Sequence, residues 1–300
     1  MLFCPPVALG YVVLMSNKIS YQGEAGSNSN MACTELFPDM EAVPCASFED
    51  AFSMVENGEA DLAMIPIENS LAGRVADIHV LLPESDLQIV GEHYLRIRFD
   101  LLGLPGSTIE GASEVHSHIH ALGQCRKIIR EHQLTPVIAG DTAGSAREVR
   151  DWNDPTKLSL APPLAAALYG LEALATGVED DQTNTTRFVV LARKQDIPAR
   201  SSMPESLVTT LVFQARNVPS ALYKALGGFA TNGVNLTRLE SYMVGSGFAA
   251  TTFMVDIEGH PDDLPVRRAL EELDFFTWEI KIVGTYPASE HRQNAVASFV

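Results

Sequence analysis

The chain has 300 residues, of which 46% are hydrophobic, and its 38 acidic against 21 basic residues give a formal net charge of −17. This excess of negative charge excludes nucleic acid as a partner, because phosphate binding requires a basic face, and it argues against anionic membrane surfaces. The composition is that of a soluble globular protein, and the length has room for about two domains.

The cysteines and the first residues of the chain carry no metal, redox or targeting motif. None of the four cysteines is in a CxxC pair, which favours buried free thiols in a cytoplasmic protein. Residues 1–17 are mostly apolar but have no basic residue before Lys18, so they match neither a secretory signal nor a membrane span. We predict that 1–17 is a disordered or mis-annotated N-terminus, with Met15 as the alternative start to Met1.

Apolar runs of strand length alternate with helical patterns between residues 18 and 192, which is typical of an α/β domain with a largely parallel sheet. A Ser27 cap and a Ser47 capping box mark the first two helices. Two apolar runs within 87–104 are interpreted as strands that cross between lobes. The other predicted strands are 18–22, 41–45, 62–67, 115–119, 135–139, 158–160 and 189–192, and the helices are 27–37, 48–57, 74–82, 121–132, one after 141–145, and 162–169.

Two polar segments adjoin buried strands and are the candidates for chemistry. The apolar run 62–67 stops at Glu-Asn-Ser (68–70), and Thr-Asn-Thr-Thr-Arg-Phe (183–188) is interpreted as a loop that leads into the strand 189–192. Open α/β sheets bind ligands at the ends of such strands, and hydroxyl and guanidinium groups donate hydrogen bonds to anionic oxygen. The alternative is that both segments are polar turns without a function.

Three histidines at alternate positions, His116, His118 and His120, would share one face of a strand and could hold zinc. The residues that follow have a helical pattern, however, so we expect the alternation to break near Ile119. No acidic ligand stands close by. A polar loop that lines a cleft is therefore favoured over a metal site.

The C-terminal third has a different order of elements. Residues 195–206 are polar and contain two prolines, as expected of a linker, and 287–300 is predicted to be a disordered tail. Between them the order is βαββαβ, the ferredoxin-like arrangement, and its sheet can leave an edge free to pair with a second copy. The predicted strands are 207–214, 234–242, 248–257 and 278–284, and the helices are 219–232 and 262–273.

Several motifs in this order together resemble those of prephenate dehydratases with a C-terminal ACT regulatory domain, over residues 18–286. Each motif is weak by itself, and the Thr-Arg-Phe triplet is the family's signature. The motifs are Tyr21-Gln22-Gly23 with Gly26, Pro66-Ile67-Glu68-Asn69-Ser70 with Gly73, Ser117-His118 with Gln124-Cys125, Thr142 with Ala146, Leu168-Tyr169-Gly170-Leu171, and Thr186-Arg187-Phe188.

The resemblance implies a catalytic domain at 18–194 with two lobes, similar to periplasmic binding proteins, and an active site in the cleft between them. One lobe would comprise 18–95 with 178–194, and the other 96–177. The ACT domain would span 207–286.

The implied reaction converts prephenate to phenylpyruvate, water and carbon dioxide. Formation of the aromatic ring drives it, so no metal or other cofactor is expected. The catalytic candidates are Thr186, which would assist the leaving hydroxyl, Asn69, and Arg187, which would either pair with a substrate carboxylate or order the loop. Candidate substrate contacts are Glu68, Ser70, Ser117, His118, Gln124, Thr142 and Phe188. In this chain Ile119-His120 replaces the family's Pro-Gln, so His120 or Gln124 would take the place of that Gln.

The resemblance also implies L-phenylalanine as an allosteric inhibitor, bound across a dimer of ACT domains, in a homodimer or homotetramer. Two departures put this binding in doubt: Ser220 replaces the family's Gly, and Tyr242-Met243 replaces Arg-Pro. The candidate effector residues are Ser220, Ala221, Leu222, Asn235, Leu236, Thr237, Glu240 and Ser241.

Three other functions stay open at this point. Arogenate carries an amino group where prephenate has its keto oxygen, and the sequence does not distinguish the two substrates. The two-lobed domain could instead be an amino-acid sensor without turnover, although the intact Thr-Arg-Phe triplet disfavours this. A zinc hydrolase built on the three histidines is the third alternative.

Overall fold

The computed structural model describes residues 16–193, 200, 206–216, 218–243 and 252–292. Predictions for 1–15, for most of the linker and for 293–300 lie outside these ranges. Ser16 and Asn17 are held in place, because both backbone N–H groups donate to Asp61 Oδ2 at 2.9 and 2.7 Å. Within the described ranges, no helix is long and apolar enough to cross a membrane.

The elements observed in the described ranges follow the predicted order closely. The strands are β1 (Lys18–Gln22), β2 (Glu41–Cys45), β3 (Leu62–Asn69), β4 (Gly73–Arg74), β5 (Leu87–Arg96), β6 (Asp100–Gly103), β7 (Glu114–Ser117), β8 (Thr135–Ile138), β9 (Lys157–Ala161), β10 (Glu172–Ala175), β11 (Thr185–Arg193), β12 (Leu207–Ala215), β13 (Leu236–Tyr242), β14 (Thr252–Glu258) and β15 (Thr277–Pro287). The helices are α1 (Asn28–Leu36), α2 (Phe48–Glu56), α3 (Ile78–Glu84), α4 (Ile119–Gln124), α5 (Arg126–Glu131), α6 (Thr142–Trp152), α7 (Pro163–Tyr169), α8 (Ala221–Thr231) and α9 (Leu264–Asp274).

Residues 16–193 form two α/β lobes, each with its own sheet, as the resemblance implied. The first sheet has the order β5-β11-β3-β1-β2 and the second β10-β6-β9-β7-β8. The prediction of a largely parallel sheet is wrong. Strand β1 is parallel to β2 and β3, but β11 returns from the second lobe and runs antiparallel to both β3 and β5. The second sheet is mixed in the same way.

The two lobes touch through short polar links and one close backbone approach. Arg147 of the second lobe donates two hydrogen bonds of 3.0 Å to the Glu24 carboxylate of the first. Gly26 lies against α7 with φ +87°, and a Cβ at this position would lie 3.0 Å from Ala165 Cα. A larger residue at this glycine would therefore hold the lobes apart.

The C-terminal domain has the predicted βαββαβ order, with its strands arranged β13-β14-β12-β15. Helices α8 and α9 cover one face of this sheet, and the other face packs against the first lobe, where Val212 and Met254 join the core that contains Val189 and Leu191 of β11. Strands β15 and β5 meet at Gly284 and Ile89. A Cβ on Gly284 would overlap the backbone of Ile89, so glycine is required for the two sheets to join.

Local differences from the predicted elements have visible causes. The helix predicted over 121–132 is two helices that break at Cys125, and the one predicted over 74–82 begins at Ile78 because Gly73–Arg74 pairs with β3 as a strand. Within residues 287–292, which were assigned to the tail, Arg292 Nε lies 2.6 Å from Glu92 Oε1.

Candidate active site

The signature residues lie within strands, which decides where their side chains point. Segment 183–188 was interpreted as a loop, but β11 begins at Thr185, and β3 continues to Asn69. The register pairs Thr186 with Asn69 and Arg187 with Glu68. Because successive side chains of a strand point to opposite faces, Asn69 and Thr186 share the face toward the cleft, whereas Glu68 and Arg187 point toward the C-terminal domain.

On the cleft face, an amide and a hydroxyl make a neutral pair. Asn69 Nδ2 donates to Thr186 Oγ1 at 2.9 Å, and Asn69 Oδ1 accepts from the backbone N–H groups of Leu71 and Ala72. The turn after β3 therefore fixes the amide. The Thr186 hydroxyl accepts from Asn69, so its own hydrogen stays available to donate to a bound molecule.

Asn184 joins this pair to the second lobe and was not predicted as a site residue. It is 1% exposed, accepts from Asn69 Nδ2 at 2.7 Å and donates to Gln124 Oε1 at 2.7 Å. Thus Gln124, a predicted contact, reaches Thr186 only through two asparagines. The signal was present, since Asn184 lies in the same polar stretch, but a loop interpretation gave no reason to distinguish it from its neighbours.

Further along, the cleft is lined by helix starts and by the ends of strands. Asp141 caps α6 by accepting from Gly144 N at 2.7 Å, which places Thr142 in the first turn of that helix. His118 caps α4, and burial, followed by the neighbouring His120, lowers its pKa. A cavity of about 550 Å³ lies between the lobes beside Asp141, and none of Thr186, Asn69, Thr142 and His118 is among the residues that line it. It is lined by Gln22, Gly23, Glu24, Ala25, Pro44, Cys45, Ala46, Gly140, Asp141 and Tyr169.

Two predicted substrate contacts are engaged elsewhere in the fold. The Ser117 hydroxyl is fully buried and donates to the Leu160 carbonyl at 2.6 Å, and Phe188 is a 1% exposed member of the first lobe's core. Ser70 is nearer to the chemistry, because its Oγ accepts from Thr185 N at 3.0 Å and ties the ends of β3 and β11 together.

The three histidines do not share a face. His116 bonds Glu114 at 3.0 Å and packs edge-on against Trp152, whereas His118 and His120 lie at the start of α4. The break expected near Ile119 is confirmed. Among the residues that the structure describes, no cluster of three or more His, Cys, Asp or Glu side chains is arranged to hold a metal ion.

On the opposite face of β11, Arg187 is 5% exposed and fully engaged. Its Nε donates to Glu92 at 2.9 Å, Nη1 to Asp256 at 2.6 Å and Nη2 to the Tyr286 hydroxyl at 2.9 Å. Two roles were predicted for Arg187, and the first of them, pairing with a substrate carboxylate, is wrong. The guanidinium points away from Thr186 and binds carboxylates of the protein itself, one of them in the C-terminal domain.

Glu68 is directed the same way, and its predicted contact with substrate is corrected for the same reason. It accepts from Arg238 Nε at 3.0 Å, and Arg238 Nη2 donates to His79 Nε2 at 3.0 Å. His79 Nδ1 in turn contacts the Val75 carbonyl at 3.0 Å, so a neutral ring protonated on Nδ1 satisfies both bonds. Burial lowers the pKa of His79, consistent with this neutral form.

The pKa of the Asp256 carboxylate is strongly perturbed at this interface. Burial by itself would raise its pKa, but Arg187, Arg292 and Arg238 outweigh that effect and hold the pKa well below the ordinary range. The site therefore has a neutral cleft face and an ionic rear face on the same pair of strands.

The predicted effector residues lie at the start of α8 and along β13. Ser220 precedes α8 with φ +61°, a left-handed conformation that glycine adopts without strain. This accounts for the family's Gly at that position. Thr237 Oγ1 accepts from Arg292, which follows β15, at 2.8 Å. The Ser241 carbonyl accepts from Arg74 of the first lobe at 2.6 Å.

The fold and the site define a two-lobed α/β enzyme whose interlobe cleft presents a hydroxyl held by amides. A βαββαβ domain packs against the first lobe. The family model described as prephenate dehydratase matches residues 19–196, more than half of the chain. The chain belongs to the prephenate dehydratase family, and it is a hydro-lyase.

The names of similar proteins state different enzymatic activities. A bifunctional N-acyl-homoserine lactone acylase/prephenate dehydratase from Komagataeibacter europaeus is 50% identical over 92% of this chain and 97% of its own length. Arogenate dehydratase/prephenate dehydratase 2 from Arabidopsis thaliana is 36% identical over 90% of this chain and 72% of its own. The structure of a prephenate dehydratase from Arthrobacter aurescens in complex with L-Phe superposes with a TM-score of 0.83 at 31% identity, covering 91% of this chain and 90% of that one.

Proposed function

We propose that this protein converts prephenate to phenylpyruvate, carbon dioxide and water, as a step of L-phenylalanine biosynthesis in the cytoplasm. The observation that carries the proposal is the Thr186 hydroxyl, held by Asn69 at 2.9 Å on the cleft face with its own hydrogen available. Arogenate is the alternative substrate, since it would present the same leaving hydroxyl to the same donor.

Thr186 assists the departure of the ring hydroxyl. As the ring carboxylate leaves as carbon dioxide, the electron pair of the broken C–C bond enters the ring, and the hydroxyl leaves from the opposite carbon, taking up a proton to become water. A threonine hydroxyl is a weak acid, so its contribution is a positioned hydrogen bond to the oxygen on which charge develops. Asn69 and Asn184 fix its orientation.

The substrate's carboxylates require donors other than Arg187. Thr142 in the first turn of α6 offers a hydroxyl beside the positive end of an eleven-residue helix. Ser70, His118 and Gln124 are further candidate contacts around the cleft. Neutral donors suit a group that must leave as neutral carbon dioxide, because they stabilise the starting carboxylate less than a guanidinium would.

Regulation by L-phenylalanine is the second part of the proposal. The C-terminal domain has the βαββαβ order of an ACT domain, and β13 lies at the end of the strand order, where it offers an edge to a second copy. We infer a homodimer or homotetramer in which L-phenylalanine binds at the start of α8 and on β13 and lowers turnover by favouring one arrangement of the lobes.

The test follows phenylpyruvate formation from prephenate in EDTA, with and without L-phenylalanine, and repeats the assay with arogenate. Thr186→Val should lower kcat about 10²-fold or more with a small change in KM, the pattern of an interaction made mainly in the transition state. Thr135→Val, on an exposed strand position, is the matched control. Wild-type turnover in Thr186→Val would refute the assignment.

N-acyl-homoserine lactone hydrolysis is a second candidate, and one cavity favours it. Between α3 and the C-terminal sheet lies a cavity of about 390 Å³ with Val80, Pro83 and Phe213 in its wall. The buried Tyr242 hydroxyl also lines it and finds no hydrogen-bond partner among the described residues. An acyl chain with its amide at Tyr242 would fill this space. Release of homoserine lactone that is lost in Tyr242→Phe would support this function, and no release by the wild-type protein would reject it.

A further inference from the structure

Two adjacent residues of β13 each begin a chain of contacts that ends beside a cleft residue. The first begins at Arg238, whose Nε binds Glu68 at 3.0 Å. Glu68 immediately precedes Asn69, the residue that holds Thr186. The side chain of Arg238 is 6% exposed and that of Glu68 is 37% exposed, so the contact is buried on the Arg238 side only.

The second chain begins at Thr237 and passes through Arg292. Arg292 Nη1 donates to Thr237 Oγ1 at 2.8 Å, Nε to Glu92 Oε1 at 2.6 Å and Nη2 to Asp256 at 3.0 Å. The other oxygen of Glu92 accepts from Arg187 Nε at 2.9 Å, and Arg187 follows Thr186 in the sequence. We call Glu92, Arg187, Asp256 and Arg292 the interdomain ion cluster.

The interdomain ion cluster is balanced in charge, and its carboxylates are buried, while Arg187 and Arg292 border a cavity of about 230 Å³. The cluster contains two guanidiniums and two carboxylates, and the side chains of Glu92 and Asp256 are at most 1% exposed. Such a set keeps one geometry, because each buried charge requires all of its partners. The stacking of His291 on Tyr94, with ring centroids 4.4 Å apart, holds the segment that carries Arg292 against the first lobe.

We propose that Glu92, Arg238 and Arg292 are positioning residues for the dehydration: they connect β13 to the ends of β3 and β11 and so place Asn69 and Thr186 in the cleft. The proposal rests on the proposed function. In a strand, a shift of the Arg187 side chain moves the backbone that also carries Thr186, and displacements below an ångström are enough to reduce catalysis. A ligand that moves β13 would alter turnover through the same two contacts.

The primary test is Glu92→Gln, which keeps the shape of the side chain and removes its charge. We expect kcat to fall about tenfold or more while KM stays within about threefold, because the misplaced group acts on the chemical step. Glu41→Gln on the exposed edge strand, where Glu41 meets Lys18 at 3.6 Å, is the matched control. A purely structural role would lower the melting temperature and leave kcat of the folded protein unchanged, and that result would overturn the proposal.

The second test asks whether the two chains converge. Arg238→Gln, Arg292→Gln and the double variant are compared in kcat and in the ratio of rates with and without L-phenylalanine. Effects that are not additive would support a shared target, and additive effects with an unchanged ratio would contradict it. Arg292→Lys keeps the charge at the cluster's more exposed end, so it should restore part of kcat if Arg292→Gln folds poorly; no restoration would count against the proposal.

The outcomes also separate this inference from the proposed function. If the wild-type protein turns over neither prephenate nor arogenate, the proposed function fails. If the wild-type protein is active and both Glu92→Gln and Arg292→Gln match it in kcat, the proposed function stands and the positioning role fails.

Discussion

The two faces of strands β3 and β11 carry different kinds of side chain, neutral on one face and charged on the other, although the residues are adjacent in sequence. On the cleft face, Asn69 and Thr186 form a neutral hydrogen-bonded pair, and on the rear face, Glu68 and Arg187 are held in ion pairs to the C-terminal domain. The cleft face must receive a ligand and shed water, which neutral groups tolerate at small cost. The rear face is mostly buried, and there the charges of Glu92, Arg187 and Asp256 are stabilised by ion pairs with one another and with Arg292.

This contrast explains why a motif of consecutive residues need not act at one site. The family resemblance links Thr186 and Arg187 as neighbours in sequence, but a strand sends them in opposite directions. One belongs to the chemistry and the other to the domain interface. If the contrast is correct, substitutions on the rear face should lower stability as well as turnover, and Thr186→Val on the cleft face should lower turnover with little change in stability.

The largest effect on stability is expected from Arg187→Met. This change leaves Glu92 and Asp256 with one cation in place of two, and removing one partner of a buried ion pair costs about 3–5 kcal/mol of the free energy of unfolding. Urea denaturation followed by circular dichroism would measure it. Arg193→Met, at the half-exposed end of the same strand, removes hydrogen bonds to the Val55 and Ala60 carbonyls and the cation beside the buried Asp61, and it should cost less, about 1–3 kcal/mol.

Arg187→Lys is a milder variant that can still be measured if Arg187→Met does not fold. Lysine keeps the charge but cannot reach Glu92, Asp256 and Tyr286 together, so its loss should be intermediate. Equal losses for Arg187→Met and Arg193→Met would mean that the rear face is not the stabilising one.

Acid should unfold the protein through the rear face, in two separate windows. The pKa of Asp256 is depressed in the folded state, so its contribution to stability is complete above the unfolded value near 4 and is lost as pH falls further. The pKa of His79 is also depressed, so its contribution starts to fall below about 6.5. Unfolding free energies from pH 7 to 3 should decline in both windows.

Two variants assign these windows. Asp256→Asn should flatten the decline below pH 4 and leave the upper window intact, and His79→Gln should do the reverse. A curve for Asp256→Asn that keeps the full slope below pH 4 would mean that this carboxylate is not the group that titrates there.

On the cleft face, Asn184→Leu should reduce both stability and turnover. The change keeps the branching of the side chain but removes an acceptor of Asn69 Nδ2 and the donor to Gln124 Oε1, and a buried polar group left unsatisfied costs about 1–3 kcal/mol. Turnover should fall because Thr186 loses its fixed neighbour. Kinetics of Asn184→Leu, Gln124→Leu and the double variant would check this: independent, additive effects would show that the chain of amides does not act as a unit.

The sequence predicts a structural feature well when that feature is decided by residues close together in the chain, and poorly when it depends on distant residues. Local signals were enough for β1, the Ser27 cap and the Ser47 capping box, because periodicity and capping are decided within a few residues. The resemblance named Thr186 and Asn69 as separate catalytic candidates, and their hydrogen bond to each other was not predicted. The direction of Arg187 could not be predicted, because it depends on where β11 begins, and that is decided by pairing with strands about a hundred residues away.

The smallest expected effect concerns Ser220, which stands where the family has Gly. The backbone conformation at this position predicts that the difference affects stability. Its φ of +61° is left-handed, it caps no helix through its side chain, and it is exposed. Left-handed backbone costs a non-glycine residue about 1–2 kcal/mol, while glycine in the unfolded chain costs about 0.5–1 kcal/mol in entropy. Ser220→Gly should therefore stabilise the protein by about 0.5–1 kcal/mol as the difference of these two. The same substitution at Ser47, an N-cap with φ −132° that accepts from Asp50 N, should destabilise it by a few tenths of a kcal/mol. Melting curves of both variants test the sign as well as the size, and a loss of stability in Ser220→Gly would mean that the backbone at the start of α8 does not carry this strain.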